Sequence, residues 1–261
     1  MTTSINPEQL AAELYQAQQQ RVPVDPLTDR FPDITIAQAY QVQLALARRR
    51  QAEGRRVVGW KIGLSSKAMQ EMLGVSEPDY GHLFDDMVVS TGQSVPAATL
   101  LQPRCEGEIA FILGRDLAGP GVTIADVLAA TRGVMPALEI IDSRVRDWKI
   151  KIQDTIADNG SSAGLVLGDR LTPVEALDLR LVGMALYKNG ELVGSGAGAA
   201  SMGHPAAAVA WLVNKLAEFG LSLKAGEIVL SGSLSIAPFV TAGDTIRADF
   251  DRLGSVSVCF A

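Results

Sequence analysis

The segment Arg104-Cys-Glu-Gly-Glu-Ile-Ala-Phe-Ile-Leu113 constrains the fold more than any other stretch of the chain. It reads as a β-strand, in which successive side chains alternate between two faces. Cys105, Gly107, Ile109, Phe111 and Leu113 then share one face, and Glu106, Glu108, Ala110 and Ile112 the other. Two glutamates therefore project side by side from a face that turns apolar further along. Like charges at that spacing repel and resist leaving water unless something positive sits between them. A third glutamate, Glu139, is embedded in Met135-Pro-Ala-Leu-Glu-Ile-Ile141, a run that otherwise reads as buried. Three carboxylates entering apolar strands make the oxygen-rich surroundings that hard divalent cations prefer. The alternative is that Glu106 and Glu108 are exposed edge residues and Glu139 pairs with an arginine such as Arg144.

A second unusual segment is Val57-Val-Gly-Trp-Lys-Ile-Gly-Leu64. Alternation puts Lys61 between Gly59 and Gly63 on one face, where nothing bulky blocks approach to its ammonium. A lysine in such a slot can have its pKa lowered and serve in proton transfer. The competing reading is an ordinary edge-strand lysine that guards against sheet pairing. Glu77-Pro-Asp-Tyr-Gly-His82, which carries Asp79, and the polar run Asp154–Ser162 both read as turns with Asx-type hydrogen bonds. His204, before Pro205, falls at a helix N-cap. Gly194-Ser-Gly-Ala-Gly-Ala199 fits a loose dinucleotide-binding pattern, but no βαβ unit surrounds it and no strand-end acid follows at the expected distance.

Charge and composition exclude several classes. Twenty-three Lys+Arg against 29 Asp+Glu leave a net charge of −6, which argues against a polyanion-binding chain. Arg48, Arg49 and Arg50 read as cations in the last turn of a helix, not as a nucleic-acid patch. No window approaches the roughly 18 unbroken apolar residues of a membrane span. The two cysteines form no metal-spacing motif and suit a reducing cytosol, and the N-terminal residues carry no secretory-signal pattern. The chain is expected to be cytoplasmic.

The first sixty residues read as helical. Asn6-Pro7 is a cap with proline at the first helical position, and Thr35 with Gln38 has capping-box spacing. Beyond Gly54 short strands are expected at 57–64, 105–113, 135–142, 164–167, 180–187, 191–195, 227–232, 245–250 and 255–260. Asn189-Gly190 is a hairpin signal, and helices are expected after Thr123 and from Pro205 to Phe219. The pattern predicts an α+β fold with a mixed β-roll or barrel-like core and a small helical N-terminal part. Residues 1–65 form the helical part and 66–261 the β-rich catalytic domain in this division.

In combination, VVGWKIGLSS, EPDYGHLFDDM, LQPRCEGEIAFIL, PALEIIDSRVRDWKI, DTIADNGSS, GAGAASMGHP and the closing GDTIRADF and LGSVSVCF blocks resemble the hydratase/decarboxylase branch of the fumarylacetoacetate hydrolase superfamily. The resemblance spans nearly the whole chain. It implies a Mg²⁺ or Mn²⁺ ion on Glu106, Glu108 and Glu139, an active-site lysine at Lys61, its acidic partner at Asp79 and an active-site serine at Ser161. Two positions depart from the family pattern: Gly160 stands where alanine is usual, and Trp60 where arginine, histidine or leucine is common. The implied activity is hydration of 2-hydroxypenta-2,4-dienoate, a small 2-hydroxydienoic acid of aromatic meta-cleavage catabolism, to 4-hydroxy-2-oxopentanoate. Homo-oligomeric assembly and association with the aldolase that follows are also implied. Sister activities remain open: a hydratase for 2-oxohept-4-ene-1,7-dioate, a 4-oxalocrotonate decarboxylase, a C–C bond hydrolase using His82, or a non-catalytic partner subunit.

Overall fold

Helix-start chemistry works as the sequence predicts. The Asn6 side chain accepts hydrogen bonds from the backbone N–H groups of Glu8 and Gln9 and opens α1 (Pro7–Gln20). Thr35 and Gln38 form a complete capping box at the start of α3 (Ile36–Ala52), after the short α2 (Leu27–Arg30). Thr123 caps α4 (Ile124–Ala130), and the His204 Nδ1 accepts from Ala206 N at 3.0 Å to start α6 (Pro205–Ala217). The computed structural model describes residues 5–67, 70–71, 74–90 and 93–261. Among these, no helix is long and apolar enough to cross a membrane.

Twelve strands build two sheets among the described residues. The larger, curled sheet has the order β2-β1-β10-β5-β6-β7-β3. It contains β1 (Val57–Gly63), β2 (Asp79–Phe84), β3 (Val88–Val89), β5 (Arg104–Leu113), β6 (Thr131–Ile141), β7 (Ser162–Leu167) and β10 (Ile228–Leu230). The smaller has the order β4-β12-β11-β8-β9, from β4 (Ser94–Val95), β8 (Gly183–Lys188), β9 (Glu191–Ala197), β11 (Thr245–Phe250) and β12 (Gly254–Phe260). Asn189 and Gly190 turn β8 into β9, both at positive φ, as the hairpin signal requires. The architecture is the mixed β-roll with an N-terminal helical part that the sequence predicts.

The two faces of β5 explain its odd composition. Gly107 faces the second sheet, and a Cβ there would lie 3.1 Å from Met184 Sδ and 3.6 Å from Ala248 Cβ. Its glycine lets the sheets pack closely. Ala110 on the opposite face joins Ala137, Leu165, Leu230, Leu83 and Phe84 in an apolar cluster that fills the concave side. The larger core, with Trp60, Ile62, Ile109, Phe111, Leu138 and Ile140, binds the convex side to the helices and the second sheet.

Two segments differ from the turns read in the sequence. Asp79–Phe84 is a wholly buried strand paired with β1, and residues 152–157 form a helix, α5 (Ile152–Ala157), followed by a tight turn at Asn159–Ser161. Their polar residues look like loop chemistry because several are satisfied by partners remote in sequence. Asn159 Nδ2 donates to His82 O at 2.9 Å while its Oδ1 accepts from His82 N at 2.7 Å. One side-chain amide thus serves the outer edge of β2 as a neighbouring strand would, and joins that edge to the start of β7. His82 itself is buried between Trp60 and Phe84, with ring centroids 4.5 and 6.2 Å away.

Two predictions follow from this packing. Asn159→Ala leaves the buried His82 N–H and C=O unpaired and should cost about 1–3 kcal/mol in urea unfolding; an unchanged midpoint refutes the bridging role. Burial pushes the His82 pKa from 6.5 down to about 4, because the charged imidazolium is poorly solvated there. Between those pH values the unfolded chain binds the proton and the folded chain does not, so stability falls as pH falls from 6.5 towards 4. His82→Phe should remove this acid-side loss, about 3 kcal/mol at full extent, as read by comparing the pH dependence of unfolding in the two proteins.

Candidate metal centre and active site

Strand register brings the three glutamates together. Glu106 on β5 lies directly opposite Glu139 on β6, and Glu108 follows Glu106 on the same face. A carboxylate oxygen of each lies within 4.8 Å of the others. Glu108 and Glu139 are 0% exposed, and Glu106 keeps part of its surface open. Glu108 Oε2 accepts from Gly232 N at 2.6 Å, whereas Glu108 Oε1 and Glu139 Oε1 have no hydrogen-bond partner. Orphaned, buried carboxylate oxygens converging on one point are the donor set of a hard divalent cation, and these three glutamates fit one.

Lys61 is not an edge residue. β1 runs between β2 and β10, and the side chain crosses the concave face to set Nζ 3.1 Å from Glu139 Oε2. Its hydrogen bond goes to the Gly160 carbonyl, at 3.0 Å. Glu139 pairs with this lysine and not with Arg144, which binds the buried Asp158 instead. Burial disfavours the Lys61 ammonium, but Glu139, Asp79, Glu106 and Glu108 together raise its pKa above the ordinary value. That is the reverse of the lowering expected for a lysine flanked by glycines, because four carboxylates surround the slot. The carboxyl pKa values are raised as well, which for an acid favours the neutral form. Burial pushes Glu106 up to about 7 against the pull of Lys61, and burial with the neighbouring carboxylates holds Glu108 well above the ordinary carboxylate range.

The glycines beside Lys61 make room for other groups. A Cβ on Gly63 would sit 2.0 Å from Asp79 Oδ1, so the missing side chain is the space that Asp79 occupies. Asp79 is buried, its Oδ2 accepts from Thr155 Oγ1 at 2.9 Å, and its Oδ1 is unpartnered. Burial raises its pKa, partly offset by Lys61 and Thr155. Asn159, Gly160 and Ser161 follow one another with φ of 57°, 60° and 55°. A non-glycine residue in this left-handed region pays roughly 1–2 kcal/mol, which the surrounding structure must supply. The turn aims the Gly160 carbonyl at Lys61, and a Cβ on Gly160 would meet Lys61 Cδ at 2.8 Å. Glycine here gives the lysine stem its room. Trp60, the other departure from the family pattern, points to the opposite face and donates to Glu227 Oε2 at 3.1 Å.

A cleft of about 420 Å³ opens over this cluster. Lys61, Asp79, Glu106 and Ser161 line it, with Glu108 and Glu139 packed against Glu106 behind its wall. All six sequence-derived candidates therefore meet in one place. Ser161 Oγ donates to Asp158 Oδ2 at 3.3 Å, an oxygen that also accepts from the Arg144 backbone N–H, while Asp158 Oδ1 takes the Arg144 guanidinium. Neither histidine lines the cleft. Thr155 and Arg104, which do, were missed: threonine in a helix and arginine at a strand start carry no distinguishing sequence signal.

Known proteins resemble this chain in sequence and in fold. Residues 60–261 match the fumarylacetoacetate (FAA) hydrolase C-terminal family. The chain is 54% identical over 215 residues to a 2-hydroxypent-2,4-dienoate hydratase of Pseudomonas putida, covering 82% of this chain and 97% of that one. It is 50% identical over 249 residues to a 2-hydroxyhexa-2,4-dienoate hydratase of Comamonas testosteroni, covering 95% and 94%. Among solved structures, a 4-oxalocrotonate decarboxylase from Pseudomonas putida G7, complexed with magnesium and adipate, superposes with a TM-score of 0.96 at 39% identity, covering 99% of each chain. With the family match spanning the β-rich part and these relatives spanning the rest, the chain belongs to the fumarylacetoacetate hydrolase family.

Proposed function

We propose that the protein is a hydro-lyase that adds water to 2-hydroxypenta-2,4-dienoate to give 4-hydroxy-2-oxopentanoate. The observation that carries this reading is the convergence of Glu106, Glu108, Glu139, Lys61 and Asp79 on one cleft in a chain half-identical to dienoate hydratases. Glu106, Glu108 and Glu139 would hold Mg²⁺ or Mn²⁺, which would supply Lewis-acid stabilisation of negative charge on the substrate's C2 oxygen.

The chain's own groups handle the protons. In the first step the C2 hydroxyl loses its proton and C5 gains one, turning the dienol into an α,β-unsaturated ketone. In the second, the hydroxyl of a water bonds to C4 and a proton arrives at C3. Lys61 Nζ, an ammonium 3.1 Å from Glu139, is a proton donor for C5 and C3. Asp79, with one oxygen tied to Thr155 and the other free, accepts a proton and returns it. Ser161 Oγ orients the substrate or the attacking water at the wall of the cleft. Apolar neighbours such as Ile141, Ile150 and Ile236 keep other water out. The same reading makes the enzyme a cytoplasmic homo-oligomer that hands its product to the next aldolase. Loss of CO₂ from 4-oxalocrotonate is the second reading, favoured by the close superposition on that decarboxylase.

The test is incubation with 2-hydroxypenta-2,4-dienoate, 2-oxohept-4-ene-1,7-dioate and 4-oxalocrotonate, with and without Mg²⁺. Hydration of the first, dependent on the cation and without CO₂ release, is expected; turnover of none overturns the assignment. Glu139→Gln should weaken Mg²⁺ binding, read by calorimetry, by at least tenfold and lower kcat by at least a hundredfold. Lys61→Met should lower kcat by about 10²–10⁴ while Mg²⁺ still binds. Full metal-dependent hydration by either variant removes that residue from the scheme.

A further inference from the structure

The cleft contains a cation that the hydration scheme leaves unused. Arg104 lies on β5 two residues before Glu106, on the same face, and lines the cleft beside it. Its guanidinium rests against two rings, 3.9 Å from the Phe239 centroid and 4.9 Å from the Trp148 centroid. Such contacts use the flat π surface of the guanidinium and leave its in-plane N–H groups for other partners. Among the described residues those groups have no partner: no carboxylate lies within ion-pair reach, and Nε is buried without a hydrogen bond. Glu106 acts on Arg104 only through space.

The aromatic support is itself held in place. Trp148 Nε1 donates to Gln102 O at 3.0 Å, and the Gln102 side chain is tied to the carbonyls of Ser143 and Val145. Asp147 and Trp148 both adopt positive φ, 56° and 54°, a conformation that non-glycine residues adopt only where the fold imposes it. A planar cation beside an anchored tryptophan, with free N–H groups and a place on the wall of a substrate cleft, is built to receive a planar anion.

We infer that Arg104 is a carboxylate-binding residue of the cleft, its guanidinium taking a carboxylate of the substrate in a bidentate pair. The inference deepens the 2-oxo acid reading above and rests on it for the identity of the anion. Two sources offer the same chemistry: the C1 carboxylate that every 2-oxo acid carries, and the second carboxylate at the far end of a dicarboxylic substrate. An arginine that only braced Trp148 and Phe239 would affect neither.

The test uses Mg²⁺-loaded full-length protein and two probes that lack the diene and are not hydrated, 2-oxopentanoate and 2-oxohexanedioate. Binding is measured by calorimetry for the wild type, Arg104→Met and Arg104→Lys. Arg104→Met, which keeps the length of the stem, should weaken binding about 10- to 100-fold. A loss for both probes assigns the C1 carboxylate, and a loss for 2-oxohexanedioate alone assigns the distal one. Arg104→Lys should recover part of the affinity, since it restores the charge without the planar fork. If Arg104→Met does not fold, Arg104→Gln takes its place. Unchanged affinity of the methionine or glutamine variant for both probes overturns the inference, even with hydration intact. Weakened binding in a protein that hydrates no dienoate leaves the anion site standing and overturns the hydratase reading instead.

Discussion

Two carboxylates removed completely from water, Glu108 and Glu139, are the constraint around which the concave side of the large sheet is arranged. An isolated buried ion costs several kcal/mol, so each needs a compensating partner. Lys61 supplies one, reaching across the sheet to Glu139, and the Gly232 N–H supplies another to Glu108. These do not suffice for three glutamates and Asp79 against one lysine. The surplus appears as raised pKa values and as carboxylate oxygens without partners. A divalent cation resolves both at once, because it adds two positive charges where the orphaned oxygens converge.

Backbone devices, more than side-chain bulk, hold the cluster in register. The absence of a side chain at Gly63 makes the space for the Asp79 carboxyl, and Gly107 lets the second sheet close against the back of β5. The left-handed turn at Asn159–Ser161 turns one carbonyl towards Lys61 while its first residue closes the edge of β2. Behind the turn, the buried Arg144–Asp158 pair, extended to the carbonyls of Asp142, Ser162 and Asp158, fixes the loop from below. Strain in the turn is thus sustained by a rigid charged network.

Much of the site is legible in the chain because it obeys local periodicity. The alternation in Arg104–Leu113 puts Glu106 and Glu108 on one face whatever they pair with, and the caps at Asn6, Thr35, Thr123 and His204 work through neighbours two or three residues away. Glu77–His82 and Asp154–Ser162 fail the same test. Several of their polar residues have partners 76 to 126 positions distant, such as Thr155 on Asp79 and Thr28 on Asp154. A local reading sees only unsatisfied polar groups and assigns a turn.

The division is therefore between what one strand imposes and what neighbouring strands supply. The sequence by itself determined the α+β class, the helix starts, and the projection of two glutamates from one face of an apolar strand, since each depends on the fixed period of a single element. Only the tertiary structure decided that Glu139 stands opposite Glu106, that Lys61 pairs with Glu139 and has a raised pKa, and that Arg104 lies with unpaired donors in the cleft. Those outcomes depend on strand register and on the summed field of charges remote in sequence. Neither can be read from a residue's own neighbours in the chain.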